Sequence, residues 1–262
     1  MKHLTLFLAL LFLPSHLIRA QAPARAPAAA INCEGIYQQH LQGFCWDDHG
    51  NIYWSFTTTL VKTDSHGKVL KKIPVASHHG DLCYHDGKLY VAVNLGPFND
   101  PEGKADSWVY SYRADTLTLL AKHKTPQLIY GAGGMAYHDG KMIVIGGLPE
   151  VLRENYLYEY DLTFKFLRQH IVPSGYTRLG IQTAAIIDGN WWFGCYGNHL
   201  LKTDKRFQLL GKYEFDCGLG IAGDRHQQIW IARGTSTKDK GCTGQILPVT
   251  AHPNKGLVFP AK

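Results

Sequence analysis

One unit recurs five times along this chain, and the recurrence limits the fold more than any other feature. Its copies read "HLQGFCWDDHGNIYWSF" (His40 to Phe56), "HHGDLCYHDGKLYVAV" (His78 to Val93), "GAGGMAYHDGKMIVIG" (Gly131 to Gly146), "GIQTAAIIDGNWWFGC" (Gly180 to Cys195) and "CGLGIAGDRHQQIWIA" (Cys217 to Ala232). Each opens on small or polar residues, runs through a short apolar strand, turns at an Asp-Gly-type pair and returns in alternating aromatic or β-branched residues. That is the pattern of a β-hairpin. A second hairpin follows each first one: Thr59 to Val75, Trp108 to Lys124, Tyr156 to Val172, Leu200 to Phe215, and a degenerate copy from Gln245 to Pro260. Four antiparallel strands per unit make the blade of a β-propeller, so the expected fold is all-β, a five-bladed propeller of four-stranded blades. No amphipathic helical stretch competes with this reading.

The boundaries follow from what lies outside the repeats. Residues 1–20 combine Lys2, the apolar run from Leu4 to Leu13 and the small ending Ile18-Arg19-Ala20, the layout of a secretory signal. Residues 21–30, "QAPARAPAAA", read as an Ala/Pro-rich lead, and residues 31–262 as one propeller domain. The mature chain is therefore expected to be exported to the periplasm or the exterior, without a transmembrane segment, and monomeric. The piece Asn32 to Gln39 precedes the first blade and is expected to close the ring by joining the last one. That would bring Cys33 near Cys242, where a disulfide would staple the ends, as export permits. No CxxC zinc spacing is present among the six cysteines. A formal charge of +6, scattered over hairpin turns rather than gathered in a stripe, argues against a nucleic-acid partner.

In antiparallel blades the start of the inner strand and the end of the second share one face, so the site is expected at that mouth of the central channel. The positions falling there are His40, Gln42, His78, His79, Asp81, Asn94, Tyr130, Arg178, Gln182, Tyr196 and Arg233, with the long loop Leu95 to Ser107 beside them. His79, Asp81 and Tyr130 are the expected acid–base set, Asp81 as general base or acid and the phenol as proton donor. His40, Gln42, Asn94, Arg178, Gln182, Tyr196 and Arg233 are the expected substrate contacts, the arginines suiting a carboxylate. His40, His79 and Asp81 also offer imidazole and carboxylate ligands for a divalent metal in the channel. His78 and His79 point to opposite strand faces, so only one of them should face the channel. The histidines in the turns, such as His85 and His138, are read as turn residues. No GxSxG elbow, P-loop or dinucleotide fingerprint is present, because the glycines at Gly131 to Gly134 open a strand rather than a helix.

Hairpins such as "DGKLYVAV" (Asp86 to Val93) and "HGKVLKKIPV" (His66 to Val75) make the chain resemble secreted bacterial β-propellers of the gluconolactonase-like, streptogramin-lyase-like and NHL-repeat group. That resemblance implies the fold over nearly the whole mature chain, and for gluconolactonase-like members a channel metal held by carboxylates and amides, whose motifs are not matched here. "LQGF" (Leu41 to Phe44) is also similar to the Gln-Gly-Leu strand of five-bladed glutaminyl cyclotransferases. Their later Glu-Gly motifs are replaced by "HGDL" (His79 to Leu82) and "AGGM" (Ala132 to Met135), with Asp81 in place of one acid. The functional expectation is a propeller binding a small molecule or saccharide at the channel mouth, as a lyase or hydrolase. The alternatives are a non-catalytic carbohydrate- or protein-binding propeller and a glutaminyl-cyclotransferase-like enzyme.

Overall fold

The computed structural model describes residues 29–260, so the signal and most of the Ala/Pro-rich lead lie outside the described residues. Twenty-one strands form five antiparallel sheets arranged as a five-bladed propeller, with no helix among the described residues. Strand β1 (Ile31–Tyr37) comes first. Blade 1 contains β2 (Leu41–Trp46), β3 (Ile52–Phe56), β4 (Thr59–Thr63) and β5 (Val69–Pro74), from the axis outward. Blade 2 contains β6 (His79–His85), β7 (Lys88–Asn94), β8 (Ser107–Arg113) and β9 (Leu119–Lys124). Blade 3 contains β10 (Ala132–His138), β11 (Lys141–Gly146), β12 (Asn155–Tyr160) and β13 (Phe166–Val172). Blade 4 contains β14 (Arg178–Ile187), β15 (Asn190–Tyr196), β16 (His199–Thr203) and β17 (Leu209–Glu214).

Blade 5 is built from both ends of the chain. Its inner strands are β18 (Ile221–Gly223), β19 (Ile229–Thr237) and β20 (Gly241–His252), and β1 supplies the outer one, with Ile31 opposite Ile246 and Tyr37 opposite Cys242. The degenerate last hairpin is the far end of β20 paired with the short β21 (Gly256–Val258). Ring closure by the N-terminal piece is thus as expected. The disulfide is not formed: Cys33 faces Gly244, Cys242 lies beside the Ser236 hydroxyl, and all six cysteines are free and buried.

The turn chemistry explains the repeats. Asp86, Asp139 and Asp188 each have positive φ, and the following Gly87, Gly140 and Gly189 have φ of +71° to +75°. Two successive positive φ values make the turn that matches strand twist, and Asp-Gly adopts it most readily. Other turns use an aspartate differently: Asp47, Asp64, Asp161, Asp204 and Asp224 each accept backbone N–H bonds from residues two and four further on.

Strand alternation sends successive side chains to opposite neighbouring blades, which gives five apolar clusters, one at each blade interface. Trp191 faces blade 3 while Trp192 faces blade 5, and Trp46 and Trp230 meet between blades 1 and 5 with ring centroids 5.8 Å apart. Each such buried side chain contributes roughly 1.5–3 kcal/mol. The aromatic strand residues are therefore core, and the polar groups free to recognise a ligand stand at the channel.

Candidate functional site

Four of the five inner strands carry a β-bulge near their start, and these bulges build the site. In β2 the pairing steps from Leu41–Phe56 to Gly43–Ser55, leaving Gln42 as the extra residue. In β10 the step from Ala132–Gly146 to Gly134–Ile145 leaves Gly133, and in β14 the step from Ile181–Cys195 to Thr183–Gly194 leaves Gln182. In β6 the extra residue falls between His79 and Leu82. A bulge re-aims the extra side chain away from the strand's ordinary faces. Gln42, Gly133 and Gln182 all line one cavity of about 200 Å³ at the channel mouth, with His40, His78, Phe98, Leu179 and Tyr196.

Gln42 organises the polar side of this cavity. Its amide nitrogen lies 2.6 Å from His40 Nε2 and 3.0 Å from His78 Nε2, with the Thr57 hydroxyl at 3.3 Å, and Tyr196 donates toward its amide oxygen at 3.5 Å. Burial lowers both imidazoles below their ordinary range, and His40 lowers His78 further. Burial pushes the Tyr196 phenol up to about 12, helped by Asp216. Gln182 donates to Leu179 O at 2.6 Å. Among the described residues no lysine, arginine, aspartate or glutamate lines the cavity.

The one phenyl ring comes from the long loop between β7 and β8. Leu95 and Asn99 donate to Asp106 O and Tyr130 O, and Ala105 to Ile129 O, so the loop is tied both to its own base and to the entrance of blade 3. Phe98 fits because Gly131 has no side chain: a Cβ there would sit 2.3 Å from the ring. Asn94, expected to touch substrate, instead supports this loop, its amide donating to Gly96 O at 2.7 Å and Pro97 O at 3.4 Å.

Several expected site residues stand elsewhere. His79 is fully buried in blade 2, with Nδ1 2.6 Å from Ala76 O and Nε2 2.8 Å from the Tyr112 hydroxyl. Nδ1 therefore donates and Nε2 accepts, and burial lowers the ring to about 4. The bulge between His79 and Leu82 interrupts the regular pairing around Asp81, and no hydrogen bond joins His79 and Asp81. The expected acid–base pair is not formed, and of the two adjacent histidines it is His78 that lines the cavity.

Asp81 is buried among the inner strands, against Gly43 of β2, Gly134 of β10 and Ala184 of β14. A Cβ on Gly43 would be 2.0 Å from its Oδ1, and one on Gly134 would be 3.0 Å from its Cβ. Burial pushes its carboxyl well above the usual carboxylate range, against the pull of the Leu82 and Ala184 N–H groups. Its Oδ1 has no hydrogen-bond partner among the described residues. Tyr130 is outside the cavity lining, Arg178 is exposed at the start of β14, and Arg233 is tied to Asp216 O at 2.5 Å. The metal expectation is not met either: no group of three His, Cys, Asp or Glu gathers among the described residues, and His40, His79 and Asp81 point to three different places. Of the expected contacts, His40, Gln42, Gln182 and Tyr196 do come together. Phe98, Gly133, Leu179 and His78 complete the lining; Phe98 had a signal, as the single aromatic in the long loop Leu95 to Ser107.

No family model matches this chain. Among solved structures it is similar to glutaminyl cyclase from Myxococcus xanthus, with a TM-score of 0.61 and 12% identity over 88% of this chain and 96% of that one. The RRP9 WD40 repeats align with a TM-score of 0.54 and 10% identity over 89% of this chain and 84% of that one. Among curated proteins, Kelch-like protein 41b of Danio rerio is 28% identical over 129 residues, 45% of this chain and 20% of that protein. The chain thus spans about a fifth of that relative's length. At these identities the solved structures speak for the fold alone, and the class they define with the five sheets is the β-propeller. Among the described residues no helix is long and apolar enough to cross a membrane.

Proposed function

We propose that the protein binds one small, uncharged polar molecule, the size of a single sugar residue, in the cavity at the channel mouth. The observation that carries this reading is the lining itself: two imidazoles, two carboxamides, a phenol and one phenyl ring, without a formal charge. An ionic ligand would lose its water there with no opposite charge to receive it, at a cost of several kcal/mol. A hydroxyl-rich ring offers an apolar C–H face to Phe98 and an edge of donors and acceptors to Gln182, Tyr196 and the histidines. The volume of about 200 Å³ is below the roughly 300–1,000 Å³ of sites for drug-sized ligands. With His79 turned into blade 2, this geometry supports recognition over elimination or hydrolysis. The export signal read at residues 1–20 belongs to the same reading and is tested by sequencing the N-terminus of the secreted protein.

The test is saturation-transfer NMR and calorimetry with D-glucose, D-galactose, D-mannose, N-acetylglucosamine, glucuronic acid and glucosamine. Binding of at least one neutral sugar, weaker for its acidic and amino forms, is expected. Gly133→Leu should abolish it by filling the cavity, since Gly133 has no positive φ and its Cβ would point at Gln182 and Phe98. Binding of charged sugars alone, or binding unchanged in Gly133→Leu, refutes the reading. A second reading, cyclisation of an N-terminal glutaminyl residue with loss of ammonia, is favoured by the likeness to Myxococcus xanthus glutaminyl cyclase. Ammonia release from a glutaminyl tripeptide, absent in Gly133→Leu, would establish it.

A further inference from the structure

The contact between Gln42 and two histidines constrains chemistry as well as shape. A carboxamide nitrogen is only a donor, with two hydrogens. Its short contacts are to the Nε2 atoms of two rings, at 2.6 and 3.0 Å, and the longer approach to Thr57 shares one of those hydrogens. An imidazole that accepts at Nε2 carries its proton on Nδ1. The two rings come from different blades, His40 just before β2 and His78 just before β6, with centroids 6.1 Å apart. A single bulged side chain is the bridge between them, and Tyr196 from blade 4 donates to its other end.

We propose that Gln42 is a positioning residue that holds both His40 and His78 as neutral Nδ1–H tautomers, so that the cavity offers ring N–H donors to acceptor oxygens of its ligand. Neither Nε2 is then free to take a proton from substrate or to ligate a metal without breaking the bridge. The inference rests on the proposed site for its ligand but not for the tautomers, which belong to the free protein. The titratable groups on the packed elements are the other ring, the buried His79 and Asp81 of β6, Arg178 of β14 and the Tyr196 phenol with Asp216 behind it, and among the described residues the side-chain hydrogen bonds of both rings go to Gln42.

The experiment is long-range proton–nitrogen correlation NMR of the imidazoles at neutral pH, with the signals assigned by His40→Phe and His78→Phe. In the wild-type protein both rings should show a protonated Nδ1 and a bare Nε2. In Gln42→Glu, whose carboxylate can only accept, both should become protonated at Nε2, while Gln42→Asn shortens the bridge and should release at least one ring. Thermal unfolding of each variant establishes that the fold is intact; the wild-type spectrum tests the proposal even if a variant does not fold. A protonated Nε2 on either wild-type ring, or an unchanged pattern in a folded Gln42→Glu, overturns it. If a neutral sugar binds, Gln42→Glu should weaken it at least about tenfold, the equivalent of 1.4 kcal/mol, and equal affinity in the two proteins also overturns the proposal. Predicted tautomers with no ligand from the panel would refute the sugar reading and leave this one standing.

Discussion

Gly43→Ala tests whether the inner strands are as close as the site requires. Gly43 has no positive φ, so the substitution adds volume without backbone strain. The new Cβ would lie 2.0 Å from Asp81 Oδ1, 2.6 Å from Asp81 Cα and 2.8 Å from Asp81 Cγ, where carbon contacts are ordinarily about 3.5–4.0 Å. The aspartate cannot swing clear: Gly134 of β10 is packed on its Cβ, and the Ala184 N–H holds Oδ2 at 3.3 Å. Strands β2 and β6 must therefore separate by more than 1 Å. Overpacking of this kind costs about 1–3 kcal/mol, and contact with backbone places this case at about 3 kcal/mol. For a domain of this size about 2–4 °C are lost per kcal/mol, so Tm should fall by about 6–12 °C. The matched control is Gly87→Ala, where φ is +71° and nothing lies within 4 Å. It pays only the left-handed strain of about 1–2 kcal/mol. Thermal unfolding followed by circular dichroism at 218 nm, about the usual β-sheet band, compares the two. A Gly43→Ala protein that melts within 2 °C of wild type, or no lower than Gly87→Ala by about that margin, would refute the close-approach argument.

Other outcomes follow from the same structure. Glu159 is raised by burial but drawn down to about 2 by hydrogen bonds from His170, Lys141 and Arg168, below its ordinary 4.5. Its contribution is complete above pH 4.5 and lost as pH falls toward 2, so acid unfolding of Glu159→Gln should be shallower in that window; identical acid curves would refute this. His79, lowered from 6.5 to about 4, favours the unfolded state progressively as pH falls through that range, and His79→Phe should remove this part of the pH dependence while leaving ligand affinity unchanged. Burial raises the thiols of Cys33 and Cys195 to about 12 and those of Cys45, Cys83 and Cys217 too. Ellman's reagent should therefore find almost no thiol in the native protein and six after unfolding without reductant; four would reveal a disulfide. Deleting residues 31–37 removes the outer strand of blade 5 and the Tyr37–Phe56 stack at 4.0 Å, and should abolish cooperative thermal unfolding.

The blades were legible because each rests on a local rule. Asp-Gly pairs at 86–87, 139–140 and 188–189 turn tightly for backbone reasons that operate within two residues, and the strands beside them alternate with period two. Ring closure was legible as well, because Asn32 to Gln39 precedes the first repeat and the last hairpin, Gln245 to Pro260, is degenerate; the structure pairs Ile31–Tyr37 with β20. Proximity of Cys33 to Cys242 was as far as that argument reached. Whether two thiols bond depends on register, and the irregular pairing between Cys33 and Tyr37 sets them against Gly244 and Tyr37 instead of each other.

The site was half legible, and the missing half has one physical cause. Counting by twos assigns a face to every residue of a regular strand, and it put His79 with Asp81. A bulge inserts one residue and resets that count, with nothing in a single sequence to mark where. Gln42, Gly133 and Gln182 occupy this extra position in three blades, and their place at the cavity follows from the bulge rather than from alternation. The small residues that open the inner strands are the other side of the same fact. Five blades leave so little room at the axis that Gly43 touches Asp81 and Gly134 touches the Gln182 carbonyl. The inner strands approach one another closely at Gly43, Asp81 and Gly134, and the neighbouring bulges bring Gln42 and Gln182 to the cavity. The glycines of the repeat therefore set the spacing of the inner strands whose bulges hold Gln42, Gly133 and Gln182 at the cavity.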